Sequence, residues 1–261
     1  MSIPRLDILA ILIGAYWQLG RALRALWMPA LMALALFIAA QFSAIVGARF
    51  LGQGYLGKLL IKLAIEFGSV TLIAPFLIAT HRFIQIGETE HSFELTTGGA
   101  RQRTFTLWLI GLAFIAAIPS LVDIFIRATG STYYAGRPVP LTSQFTRLMI
   151  LAMVTAIFVA VTRLMIVLPA VAVDARDAGL DDVFQKTRGH VARIAVTAVL
   201  SLMPLVAVYV ILFLIVQATL PNRINMLVAI IILKMLIFAA LTVAAAVASQ
   251  TYLTCCTQKR V

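Results

Sequence analysis

The chain has 261 residues, 62% of them apolar and 12% charged, and still carries a formal charge of +11. A soluble domain averages about 45–50% apolar and about 25% charged residues, so this composition excludes an ordinary soluble enzyme and points to an integral membrane protein. The apolar excess also argues against a nucleic-acid partner despite the basic balance, and the length leaves little room for a soluble catalytic domain beside a bundle of membrane helices.

The first element is short and two-faced. Within residues 5–27, Ile8, Leu9, Leu12, Tyr16, Leu19, Leu23, Leu26 and Trp27 share one side of a helix, with Asp7, Gln18, Arg21 and Arg24 on the other. This pattern predicts an amphipathic helix at the headgroup boundary, with a short seventh span over Ile8 to Gly20 as the competing reading. No small-x-small cleavage site precedes Arg21, so a removed signal is not expected.

Six later segments meet the length of about 20 mainly apolar residues that a spanning helix needs. They run from about Met28 to Val46, Leu59 to Thr80, Thr104 to Ile126, Leu148 to Val173, Val191 to Leu214 and Ile224 to Ala248. None alternates as a barrel strand would, and an open sheet leaves its backbone unpaired in lipid, so the fold class expected is an all-α bundle. Pro29 suits the first turn of its helix. Pro75, Pro119, Pro169 and Pro204 interrupt later spans, where each removes a hydrogen bond and bends its helix. Ala39, Ser43 and Gly47 in the first span, and Ala240, Ala244 and Ala248 in the sixth, offer small faces for close helix contact.

Orientation follows from Lys and Arg. One side receives Arg5, Arg21, Arg24, Arg82, Arg101, Arg103, Arg163, Arg176, Lys186, Arg188, Arg193, Lys259 and Arg260. The other receives Arg49, Lys58, Lys62, Arg127, Arg137, Arg147 and Arg223. The richer side is expected to be cytoplasmic, which makes this a protein of the cytoplasmic membrane with both termini in the cytoplasm. The outer loops are almost free of acids, so anionic phospholipid is the expected partner, beside a second membrane protein or another copy of the chain.

Ionisable residues within a span are costly and are functional candidates by default. Glu66 follows Lys62 by four residues and Asp123 precedes Arg127 by four, so each has a same-helix partner. Arg163 lies near the inner end of the fourth span, where its stem reaches the headgroups. Lys234 stands about ten residues into the sixth span, roughly 15 Å along the axis. It either extends toward the outer surface or pairs with Asp123 or Glu66 from another helix, and both readings stay open. The loop segment GLDDVFQKTR (179–188) places Leu180, Val183 and Phe184 on one small face, with Gly189 as a stop, and predicts a short helix on the inner surface.

Catalytic constellations are not found. His81, His91 and His190 are scattered, and there is no zinc spacing, phosphate-binding loop or nucleophile elbow. Glu88, Glu90, His91 and Glu94 read as a solvated loop cluster. Cys255 and Cys256 are adjacent and read as free thiols. No cofactor or metal is expected.

Three stretches carry a resemblance: ATHRFIQIGE (79–88), RLMIVLPAVAVD (163–174) and KTRGH (186–190). Together they resemble a group of six-span bacterial membrane proteins that includes those named for the membrane domain of glycerophosphoryl diester phosphodiesterase. The resemblance implies the membrane module without the hydrolase, whose barrel of about 250 residues has no room here. His81-Arg82 is followed by Phe83 rather than the glycine of the hydrolase's His-Arg-Gly run, so no catalytic role is carried over. It implies instead a structural role for His81, Arg82, Arg163 and Pro169 at the inner boundary, with Arg82 and Arg163 at similar depth and suited to lipid phosphates. The expected function is a non-enzymatic module that organises membrane or envelope or supports a partner. The alternative is a small transporter with a pathway near Lys234 and Asp123.

Overall fold

The computed structural model of the chain describes residues 7–50, 55–88, 99–130, 144–175, 180–219 and 222–256. The described residues form helices and contain no strand: α1 (Ile8–Ala25), α2 (Trp27–Phe50), α3 (Tyr55–Ile86), α4 (Ala100–Gly130), α5 (Gln144–Leu164), α6 (Val167–Ala172), α7 (Leu180–Lys186), α8 (Val191–Thr219) and α9 (Asn222–Cys256). Among the described residues, four helical stretches are long and apolar enough to cross a membrane, namely Leu63–Ile86, Leu151–Ala172, Val191–Ala218 and Val228–Cys255. A fifth arises if α1 and α2, which meet at 92°, are counted as one broken span. The expected third span falls on α4, whose side chains beyond Ile118 lie outside the described residues.

Local chemistry sets the helix ends. The Asp7 carboxylate accepts from the N–H groups of Leu9 at 3.1 Å and Ala10 at 3.4 Å, which pairs two donors that the first turn of α1 leaves orphaned. Gly87 takes φ +70° and donates its N–H to the Phe83 carbonyl at 3.0 Å, closing α3 with a left-handed residue that glycine adopts without strain. The expected fourth span is divided between α5 and α6. Pro169 has no N–H and would clash with the carbonyl four residues back in a continuous helix. The break at Met165–Ile166 places it in the first turn of α6, where no donor is needed.

The centre of the bundle is aromatic. The Phe238 ring of α9 lies 6.0 Å from that of Phe37 on α2 and 5.7 Å from that of Phe76 on α3, and Ile73, Leu77 and Leu109 close around them. Helix α9 is the hub, packing against α1, α2, α3, α6 and α8. Its Ala245, Ala246, Ala248 and Ser249 are buried, and such small side chains let several backbones approach at once. The expected small face of the first span is not used this way: Ala39 and Ser43 are exposed, and α2 instead buries Ala33 and Phe37. The Gln41 amide donates to Ser69 Oγ at 2.9 Å, a polar tie between α2 and α3.

Helix α1 turns a face of Ile11, Ala15, Leu19 and Ala22 into the bundle and leaves Leu9, Ile13 and Trp17 exposed. The apolar stripe read from sequence supplies only Leu19 and Leu26 to the core, because small residues allow the closer approach to α9. The Tyr16 hydroxyl donates to the Ser201 carbonyl at 2.5 Å and anchors α1 to α8. The opposite extreme is α8, which exposes Val199, Leu200, Met203, Val206 and Ile211, an apolar surface suited to lipid.

Candidate functional site

Polar side chains gather at one end of the bundle, where α3, α5 and α9 end and α4 and α8 begin. Arg82, in the last turn and a half of α3, donates to the Ala172 carbonyl of α6 at 3.2 Å and pairs with Glu88 just past the helix. The Ala172 carbonyl lies in the last turn of α6, where carbonyls lack intrahelical partners, so the guanidinium serves as a side-chain cap from a neighbouring helix.

Arg163, at the end of α5, does the same for α7. It donates to the Phe184 carbonyl at 2.7 Å and to Thr187 Oγ1 at 3.1 Å, and its guanidinium carbon lies 4.1 Å from the centre of the Phe184 ring. Planarity lets one side chain bond a carbonyl and a hydroxyl edge-on while stacking face-on on an aromatic, which a lysine ammonium cannot reproduce. Thr187 is fully buried and also donates to the Val183 carbonyl at 2.8 Å. Gly189 then takes φ +89°, and the chain turns into α8.

Asp174 follows α6 and closes it. Its N–H bonds the Val171 carbonyl at 3.2 Å and that of Ala175 bonds the Ala170 carbonyl at 3.0 Å, a Schellman pattern. The left-handed position at its heart, φ +51°, is held by aspartate where glycine is usual. The Asp174 carboxylate pairs with Arg101 in the first turn of α4. That hydrogen bond holds the Arg101 guanidinium above its ordinary pKa, against the opposing effect of partial burial and with the charges of Asp174 and Glu88 adding to it.

His81 is fully buried one residue before Arg82. Its Nδ1 lies 2.7 Å from Ser249 Oγ on α9, and its ring meets Phe105 of α4 edge-on at 5.7 Å. Its Nε2, together with Gln85 Nε2 one turn further on and His190 Nδ1, is buried without a hydrogen-bond partner among the described residues. A buried donor left in this state costs about 1–3 kcal/mol, so these atoms mark where the end is polar beyond its own pairing needs.

The three stretches singled out in the sequence therefore meet. Arg82 of the first bonds Ala172 of the second, and Arg163 of the second bonds Thr187 of the third. Sequence reasoning placed Arg82, Arg163 and His81 at one boundary. Nothing in the sequence pairs them with Ser249, Thr187 or the Ala172 and Phe184 carbonyls, since hydroxyls and carbonyls are everywhere in such a chain. Nothing local pairs Asp174 with Arg101 either, which stand 73 residues apart as counted from their numbers.

The intramembrane candidates lie elsewhere. Glu66 on α3 and Lys234 on α9 are each half-buried, and each is engaged with other groups, so neither is a bare charge in lipid. Asp123 lies on α4, and its side chain falls outside the described residues, as do those of Lys62 and Arg127. Of the loop cluster, Glu90, His91 and Glu94 fall outside them too, while Glu88, expected to be solvated, is partly buried and paired with Arg82. Among the described residues no three His, Cys, Asp or Glu side chains gather as a metal site, and Cys255 is a free thiol. Comparison of the chain with protein-family models, with curated proteins and with solved structures gives no match.

Proposed function

We propose that this chain is a non-enzymatic six-span module of the cytoplasmic membrane, with both termini inside and α1 at the interface, that holds anionic phospholipid at its polar end and so supports the organisation of that membrane or a partner within it. The observation that supports this best is the joining of three distant stretches by Arg82 and Arg163 at one end of an otherwise apolar bundle. A rigid basic rim at headgroup depth attracts phosphates, and the aromatic centre formed by Phe37, Phe76 and Phe238 favours a packed module over a conduit. The Lys and Arg count gives the orientation. The joined stretches are the ones that resemble the phosphodiesterase membrane domain, and we read the chain as a relative of that module without its hydrolase.

The test is lipid analysis of the protein purified in mild detergent, with topology reporters at residue 137 and at the C-terminus. Anionic phospholipid enriched over the source membrane, an inner C-terminus and an outer residue 137 are expected. An unenriched lipid complement with an outer C-terminus overturns the reading.

A second reading rests on Glu66 and Lys234, two half-buried charges on helices that pack against each other. It makes the chain a small transporter whose pathway passes Lys234 and Asp123. Solute flux in proteoliposomes that is lost in Lys234→Leu would install it in place of the first.

A further inference from the structure

Two arginines open α4, and the fold treats them differently. Arg101 is committed to Asp174, and the Thr104 hydroxyl to the Ala100 carbonyl at 2.9 Å. Gln102, Arg103, Thr106 and Leu107 instead line an open groove of about 370 Å³ on the outer face of the helix. The groove is graded along the helix axis. Gln102 and Arg103 form its polar end, and Leu107, 69% exposed, forms its apolar end one turn deeper. Beyond Leu107 the same face continues with Gly111, where an added Cβ would meet nothing within 4 Å, and with Phe114, which is half exposed.

We propose that this groove binds one anionic phospholipid, with the Arg103 guanidinium on the phosphate, Gln102 and Thr106 donating beside it, and an acyl chain lying along Leu107, Gly111 and Phe114. The inference rests on the lipid reading above and makes it specific. Arg82 and Arg163 spend their guanidinium groups on Ala172, Glu88, Phe184 and Thr187, whereas Arg103 is exposed and lines the groove. Charge selects the occupant. The first turn of α4 holds no acid, and the carboxylates near it, Asp174 and Glu88, are already paired with Arg101 and Arg82, so Arg103 keeps its charge for an anionic headgroup. The depth gradient from Arg103 to Leu107 matches a molecule whose phosphate and acyl chains are joined, and a free phosphate engages only the polar end of the groove.

Trp108 provides the probe, since it adjoins Leu107 and is only half-buried. With Trp17 and Trp27 changed to Phe, Trp108 fluorescence is read in proteoliposomes containing brominated phosphatidylglycerol or brominated phosphatidylcholine at equal mole fraction. A preference of about fivefold for phosphatidylglycerol is expected, the contribution of one arginine near an anionic surface. Arg103→Gln abolishes the preference, Arg103→Lys restores part of it, and both retain the thermal unfolding of the parent because the side chain is exposed. Equal quenching by the two lipids, or a preference that survives Arg103→Gln, overturns the site. If bulk anionic lipid still co-purifies in that case, only this groove fails. If co-purification is absent as well, the wider lipid reading falls with it.

Discussion

The centre of the bundle and its polar end are held by different physics. At the centre, Phe37, Phe76 and Phe238 meet through rings alone, with lipid of similar polarity outside, so water supplies little drive and shape complementarity must hold them. At the polar end, contacts are directional: a guanidinium meets a carbonyl at a helix terminus, and an imidazole meets a hydroxyl. Apolar packing tolerates small rotations and slides, whereas these bonds are lost by a shift of one ångström. The centre supplies cohesion, and the polar end decides which helix termini meet.

The sharpest way to break this division is at Phe238, the one ring that touches both others. Phe238→Ala is expected to cost about 3 kcal/mol in detergent unfolding, because the cavity persists when neighbours relax only in part. Phe238→Leu keeps most of the volume and costs less than about 1.5 kcal/mol. Arg163→Ala comes next, at about 2 kcal/mol, through the loss of charge-assisted bonds to Phe184 and Thr187. Its signature is local. Limited proteolysis opens within residues 180–188 while the spanning helices stay protected, and Arg163→Lys recovers about half of the loss by keeping one bond to the carbonyl. If Arg163→Ala loosens every helix equally, or costs more than Phe238→Ala, the polar end supplies cohesion too and the contrast fails.

How legible each region was in the sequence follows from the same contrast. The all-helical class is carried by the apolar runs, and α7 by a small apolar face with Gly189 behind it; all are local patterns of one segment. The Pro169 break is local as well, yet it reads only as a bend until Met165 and Ile166 are seen to take the turn. The sequence pattern marks a membrane-interface stripe on α1 but not its packing face: Leu9, Tyr16 and Leu23 of that stripe are exposed, and the helix packs through Ala15 and Ala22, where size is least. The site was half legible. Charged residues, at 12%, are few enough in this chain to announce themselves, whereas the carbonyls and hydroxyls that receive them are uniform along it. The Ser249 partner of His81 stands 168 residues away with nothing to mark it.

That pair offers a finer test. Ser249→Ala leaves His81 Nδ1 buried without its partner and is expected to cost about 1 kcal/mol. Adding His81→Leu removes the other half of the pair, and the double variant is expected to be no less stable than Ser249→Ala alone, since two apolar groups need no bond. A double-mutant cycle in detergent unfolding measures the coupling. Coupling indistinguishable from zero would place the fit of His81 against Phe105, and not its hydrogen bond, in charge of this contact.

The smallest effect belongs to Asp174, where two opposing contributions nearly cancel. A left-handed residue other than glycine pays about 1 kcal/mol, somewhat less for aspartate, whose short polar side chain tolerates that region. Its ion pair with Arg101 joins side chains 51% and 40% exposed, so solvent screening holds its worth to roughly 0.2–1 kcal/mol. Asp174→Gly relieves the backbone and loses the pair, and the net change is expected to stay within about 0.5 kcal/mol. Asp174→Asn separates the two, because asparagine keeps the tolerance for positive φ while the charge disappears. It is expected to destabilise by about 0.5 kcal/mol at low salt, and the difference from the parent shrinks in high salt as the exposed pair is screened. A loss in Asp174→Asn that is several times larger and indifferent to salt would mean that Arg101 and Asp174 act as the polar end's buried contacts do, as a directional lock between α4 and α6.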